Sequence, residues 1–166
     1  MNMQYFRRVV AASAFLAILS SCAISVPVRP GQSEAEVVAR LGKPTHVYQD
    51  GANHLLEYMH GPMGQYTEIA RIGPDGTLIS YEQVLTVEKF ATIKLGEANK
   101  ETVLRTIGAA SEMRFFPASG LEEWSYPFKE HGIWDSLMAV YFDQAGIVRK
   151  LQNGPDPKFD TGAFPQ

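Results

Sequence analysis

The chain contains one cysteine, Cys22, among 166 residues, so no internal disulfide can staple the fold. Downstream of Cys22 no apolar run approaches the ~20 residues that a bilayer-spanning helix requires. Basic residues are few and scattered: 15 Lys and Arg face 18 Asp and Glu, giving a net charge of −3. Without a basic block, nucleic acid is excluded as a main partner. The four histidines are His46, His54, His60 and His131, and the first three are spaced by 8 and 6 residues. That is neither an i, i+4 ligand pair nor a compact zinc knuckle, and these histidines read as surface or strand-edge residues. No Gly-x-Ser-x-Gly or other activated nucleophile is present. His131-Gly132-Ile133-Trp134-Asp135 offers a His/Asp pair, but in a hairpin loop without a nucleophile. Glu122 and Glu123 are neighbours in a strand and point to opposite faces, so they cannot flank one glycosidic bond. The expectation is a protein that is not an enzyme and uses no metal or cofactor.

What is present begins at the N-terminus. Arg7-Arg8 precedes an apolar run over 9–19, which has the length of an export-signal core. Leu19-Ser20-Ser21-Cys22 resembles the bacterial lipobox, in which the cysteine is acylated and becomes the mature N-terminus. An ordinary cleaved signal with an incidental cysteine is the alternative. On the lipobox reading, 1–21 is the signal peptide and Cys22 the lipidation site. Three acyl chains then anchor the protein stably in membrane lipid. Ala23 follows, not the Asp that retains such proteins in the inner membrane, which implies the periplasmic face of the outer membrane. Residues 22–30, with Pro27 and Pro30, read as a tether.

The mature chain repeats itself. Val37, Val38, Leu41 and Gly42 recur as Val103, Leu104, Ile107 and Gly108, each displaced by 66 positions (103 − 37). Leu56 and Tyr58 recur as Trp124 and Tyr126 at 68 (124 − 56), and Gly76 as Gly146 at 70 (146 − 76). The displacement changes only between periodic segments, where insertions are best tolerated. The predicted units are 31–85 and 86–151.

In the first unit Ser33-x-x-Glu36 is a capping-box signature, and Val37, Val38 and Leu41 share one helical face. Gly42 can take a left-handed C′ conformation, and Pro44 prevents continuation. β-rich runs follow at 45–49, 54–59, 65–72 and 77–85, the first of them weak enough to be a mere lead-in. A helical turn through Val87, Phe90 and Ile93 joins the units. In the second unit Asn99 is the predicted N-cap, with strands at 111–116, 121–128, 135–143 and 147–151. The fold class is α+β: two tandem units, each of short helices packed on a three- to four-stranded antiparallel β-meander. Residues 152–166, rich in Pro, Gly and Asp, read as a poorly ordered tail.

Along 135–143 both strand faces are apolar, so one packs helices and the other is covered by the second unit or presented to a partner. Trp124, Phe128, His131, Trp134 and Tyr141 are the candidate partner-binding residues, being types that concentrate binding energy or their loop neighbours. Repeat position favours core for Trp124. Trp134 has no counterpart in the first unit and is the best candidate for an exposed anchor.

The pattern Gly-x-[Ser/Thr]-x-x-x-Val-x-x-x-Leu-Gly-x-Pro, carried by Gly31, Ser33, Val37, Leu41, Gly42 and Pro44, resembles the SmpA/OmlA (BamE-like) outer-membrane lipoprotein family. Trp124, Tyr126, Phe142, Asp143, Gly146 and Val148 carry the family's later positions in the second unit. Ala109-Ala110 stands where the family usually has Pro. Two units in tandem also resemble the architecture of the β-lactamase inhibitory protein. The resemblance implies a periplasmic protein-binding module with an envelope protein partner, possessing an accessory role in outer-membrane protein assembly or envelope integrity. The tandem likeness implies the alternative, an inhibitor of a periplasmic hydrolase or β-lactamase gripping its target through a concave tandem-sheet surface.

Overall fold

The computed structural model describes residues 28–159. The expected signal peptide, Cys22 and the tether through residue 27 lie outside the described residues, as do 160–166 of the expected tail.

Helix α1 (Glu34–Leu41) begins at a capping box. The Ser33 hydroxyl accepts from the Glu36 N–H at 3.4 Å, and the Glu36 carboxylate accepts from the Ser33 N–H at 2.9 Å. A helix this short is marginal in isolation, so packing must hold it. Val37 is fully buried, with Val38 and Leu41 beside it, against Leu56, Tyr58, Ala70, Ile72 and Leu78. Gly42 closes the helix at φ 88° and ψ −169°. That extended, positive-φ region is open essentially to glycine alone, and it replaces the left-handed helical turn that the sequence suggests.

Strands β1 (His46–Asp50), β2 (Asn53–His60), β3 (Tyr66–Ile72) and β4 (Leu78–Gln83) form an antiparallel sheet in chain order. The expected lead-in is thus a full strand. Helix α2 (Val87–Ala91) and helix α3 (Lys100–Ile107) follow, the latter capped by Asn99, whose side chain accepts from the Thr102 N–H at 2.9 Å. Strands β5 (Glu112–Phe116), β6 (Leu121–Glu130), β7 (Trp134–Phe142) and β8 (Val148–Pro155) make a second sheet, again in chain order. The protein is α+β, with two four-stranded antiparallel sheets and few, short helices.

The halves agree in detail. Each helix start is bridged to the start of its last strand, Ser33 to Thr77 and Asn99 to Ile147, at displacements of 66 (99 − 33) and 70 (147 − 77). Each sheet carries a register shift at the same place, between Arg71 and Ile72 and between Tyr141 and Phe142.

One face of the first sheet packs α1. The other carries Tyr48, Leu55, Glu57, Ile69 and Val84, and α2, α3 and the Gly108-Ala109 turn lie over it. Strand alternation places these residues together, opposite Leu56 and Tyr58. Across this join Lys89 reaches Glu82 at 2.9 Å, and Arg105 approaches Asp50 at 4.0 Å. Helices α2 and α3 also pack the inner face of the second sheet, where Phe90, Ile93, Val103 and Ile107 meet Trp124, Tyr126, Phe128, Val140 and Phe142. These helices therefore sit between the two sheets. A grip formed by both sheets side by side has no open face on the first sheet.

The chain does not leave the fold at residue 151. Strand β8 pairs Gln152, Asn153, Gly154 and Pro155 with Ala139, Met138, Leu137 and Ser136. Asp156 then donates its N–H to the Asp135 carbonyl at 2.9 Å. This corrects the expected start of a poorly ordered tail at 152. A composition rich in Gly and Pro is tolerated here because β8 is an edge strand.

Candidate interaction site

The β6–β7 hairpin is closed by the Glu130–Trp134 pair, with His131, Gly132 and Ile133 as its loop. His131 at φ 50° and Gly132 at φ 74° turn the backbone back on itself, with Ile133 N–H donating to the Glu130 carbonyl at 3.1 Å. The loop projects two large apolar side chains into solvent, Ile133 at 69% exposure and Trp134 at 59%. Neither side chain belongs to the core.

The base of the hairpin is tied down. The Asp135 carboxylate accepts from Lys129 Nζ at 2.7 Å and, from the other half of the protein, Gln65 Nε2 at 2.6 Å. Lys129, followed by Gln65, holds that carboxyl below the usual aspartate range. The Ser136 hydroxyl donates to Glu130 at 2.7 Å, and Asn153 Nδ2 does so at 3.3 Å. These two bonds lower the Glu130 carboxyl in the same order of weight. Both acids are therefore anionic at neutral pH.

Beside Trp134 a cavity of about 330 Å³ opens, lined by Glu130, Asp135, Ser136, Asp156 and Phe159 among others. Phe159 arrives on the turn after β8, its N–H donating to the Asp156 carbonyl at 3.0 Å. Lys129 Nζ stands 6.0 Å from the centre of the Phe159 ring.

Of the five aromatic and histidine candidates, Trp134 and His131 share this loop and both are exposed. Tyr141 lies seven residues along β7, about 23 Å away at strand rise, so it belongs to a separate region. Its ring lies 5.1 Å from Lys150 Nζ, and burial, then the Glu123 carboxylate, raises its hydroxyl above the ordinary tyrosine value. Trp124 and Phe128 are corrected from candidate surface residues to core. Trp124 packs on Phe142 with ring centres 4.8 Å apart, and Phe128 meets Phe90 edge-on at 5.0 Å. Both point inward because their strand parity matches Tyr126, and the inner face is the one under α2 and α3. Cys22 lies outside the described residues.

Sequence reasoning overlooked Glu130, Asp156 and Phe159. Phe159 and Asp156 fall within the stretch read as a tail. No local signal in that stretch marks them, since short edge strands pair with longer neighbours elsewhere in this fold, as β5 does with β6.

Two of the three histidines in the first half pair with acids, His54 with Glu34 at 2.6 Å and His60 with Glu68 at 3.1 Å, while the His46 ring stacks near Tyr48. Among the described residues no three His, Cys, Asp or Glu side chains gather as a metal site. Among the described residues no helix is long and apolar enough to cross a membrane. Asp135, taken up by Lys129 and Gln65, is not held for His131.

No family model matches this sequence, and no curated protein matches it. Among solved structures the chain is similar to a DUF4309 family protein, YjgB, from Bacillus subtilis, at 16% identity and a TM-score of 0.33. That similarity covers 76% of this chain and 80% of the other.

Proposed function

We propose that this chain is a lipoprotein of the SmpA/OmlA (BamE-like) type, duplicated in tandem, and that it serves as a protein-binding module rather than an enzyme. Acylated Cys22 holds it at the periplasmic face of the outer membrane, and the partner is another envelope protein. The narrower form of this reading makes it an accessory of outer-membrane protein assembly or envelope integrity. The matching helix-to-strand bridges and register shifts support the duplication. One observation carries the binding reading: Trp134 and Ile133 stand exposed on a hairpin braced by Asp135, Lys129 and Gln65. Rigid aromatic anchors beside a pocket are where interfaces concentrate their energy. The inhibitory alternative has the outer face of the second sheet alone to offer, because α2 and α3 cover the first.

A photocrosslinking residue at position 134, with a control at exposed position 95, tests the reading in intact envelopes. Partners captured at 134 and absent at 95 support it; identical capture at both positions would sink it. Labelling with an alkyne fatty acid tests the anchor. The label must appear on the wild-type chain and vanish from Cys22→Ser.

A further inference from the structure

The cavity beside Trp134 is walled by aromatic rings and by carboxylates of which two lack a cation. Asp135 is matched by Lys129, but among the described residues Glu130 and Asp156 form no ion pair. Lys158, the nearest basic residue in sequence to Asp156, turns its ammonium to Glu112 instead. Asp156 is 2% exposed; its Oδ1 accepts from the Lys158 backbone N–H at 3.0 Å, while Oδ2 is buried and meets no donor among the described residues. A buried carboxylate oxygen without a donor is costly, and a cationic donor beside it would relieve that cost.

From these observations we infer that the cavity takes the alkylammonium or guanidinium head of a basic side chain, presented by the protein partner. The inference rests on the reading that the Trp134 loop is the contact surface. At about 330 Å³ the space is at the small end of ligand pockets and has room for one long basic side chain. Trp134 supplies the aromatic face that attracts cations best, and Phe159 supplies a second. Lys129 already shows the chemistry of this wall, its ammonium lying 2.7 Å from Asp135 and 6.0 Å from the Phe159 ring centre. Glu130 is fixed in place by Ser136 and Asn153, so little side-chain freedom remains to be lost on binding. The charge balance favours a cation over a neutral or acidic group, since neither Glu130 nor Asp156 has an ion-pair partner among the described residues.

The experiment uses the mature chain with Cys22→Ser, labelled with ¹⁵N, and follows the two tryptophan indole N–H signals. Trp124 donates its indole N–H to Glu122 at 2.6 Å inside the fold and serves as the internal control. The probes are the blocked single residues acetyl-lysine-methylamide and acetyl-arginine-methylamide, the side-chain-acetylated form of the lysine probe, and spermidine. The expected result is a saturable shift of the Trp134 signal with the lysine and arginine probes, a still Trp124 signal, and no shift with the acetylated probe. Glu130→Gln and Asp156→Asn, each checked for a native spectrum, should each weaken binding by about tenfold. Since Glu130 is only half-buried, its variant keeps the test open if Asp156→Asn fails to fold. No response to either cationic residue, or an equal response to the acetylated probe, overturns the inference. Binding of spermidine without binding of the residue probes also overturns it, by making the ligand a free polyamine. Specific crosslinks at position 134 without cation binding would sink this inference alone. Cation binding without crosslinks would sink the contact-surface reading.

Discussion

Glu57 lies against Gly108 so closely that a Cβ on Gly108 would stand 2.9 Å from the Glu57 carboxyl carbon. This carboxylate is fully buried where the two halves meet. It accepts the Ala109 N–H at 3.1 Å and the Tyr48 hydroxyl, while Tyr126 donates its hydroxyl to the Gly108 carbonyl at 3.2 Å. Burial, followed by the Glu57 hydrogen bond, raises the Tyr48 hydroxyl well above its ordinary value. Burial, followed by the charge of Glu57, does the same to Tyr126.

Gly108→Ala should be far more damaging than Gly42→Ala, although both glycines have φ above 80° or at it. Gly42 has nothing within 4 Å of a new Cβ, so its variant bears backbone strain alone, about 1–3 kcal/mol. Gly108→Ala adds the clash with Glu57 and Thr67, for a total of about 2–5 kcal/mol. Urea unfolding of the two variants checks this, and equal losses would refute it.

Glu57→Ala deprives the half-buried Ala109 N–H and Tyr48 hydroxyl of their partner, and should lower stability by about 2–5 kcal/mol, cavity included. Tyr48→Phe removes one bond only and leaves Glu57 its Ala109 donor, so its loss should be smaller, about 1–2 kcal/mol. Denaturation of the single and double variants forms a cycle. A coupling near zero between Glu57→Ala and Tyr48→Phe would show that their hydrogen bond contributes nothing.

Trp134→Ala should change stability by no more than about 0.5 kcal/mol, because the side chain leaves water little when the chain folds. Trp124→Ala should cost about 3–5 kcal/mol, since it empties a core site against Phe142. Thermal unfolding distinguishes the two, and the same Trp134→Ala protein should lose its crosslinked partners.

Acid should destabilise the fold. Lys100, then the Trp124 indole, holds the Glu122 carboxyl below its usual range; the Ile147 amide, then Arg149, does so for Asp143; Lys129 does so for Asp135. For a depressed carboxylate the unfolded chain binds the proton first, so the stabilisation is present above the unfolded pKa, near 4, and is lost as pH falls through the lower folded value. Urea midpoints should therefore decline between about pH 5 and pH 2, and Glu122→Gln should flatten that decline. At the alkaline end the sign reverses. Tyr48 and Tyr126 have raised values, so their contribution is complete below about pH 10 and disappears as pH climbs beyond it. Their phenolate absorbance should appear with unfolding rather than before it.

Truncation after Leu151 should lower stability by about 2–4 kcal/mol, because it deletes the four residue pairs that β8 makes beyond that point. Hydrogen exchange along Ser136–Ala139 should rise in parallel. A truncated chain as stable as the full one would return 152–155 to the status of a tail.

Ser33, Glu36 and Asn99 announced the starts of α1 and α3, and Gly42 and Gly108 their ends, because caps and stops act between residues three or four apart. Alternation and turn residues revealed seven of the eight strands and left β1 open as a lead-in, and the repeated Val, Leu and Gly positions divided the chain in two. Those features are local, so the order of residues determined them. That Trp124 and Phe128 face inward was decided by which sheet face α2 and α3 cover, whereas Trp134, of the same strand parity, is exposed at the hairpin end; both follow from how the halves dock. The carboxylate of Glu57, the reach of Gln65 to Asp135, and the placing of Asp156 and Phe159 beside Trp134 join positions distant along the chain. Burial and charge at such places depend on neighbours that no local pattern names, and only the tertiary structure brings them together.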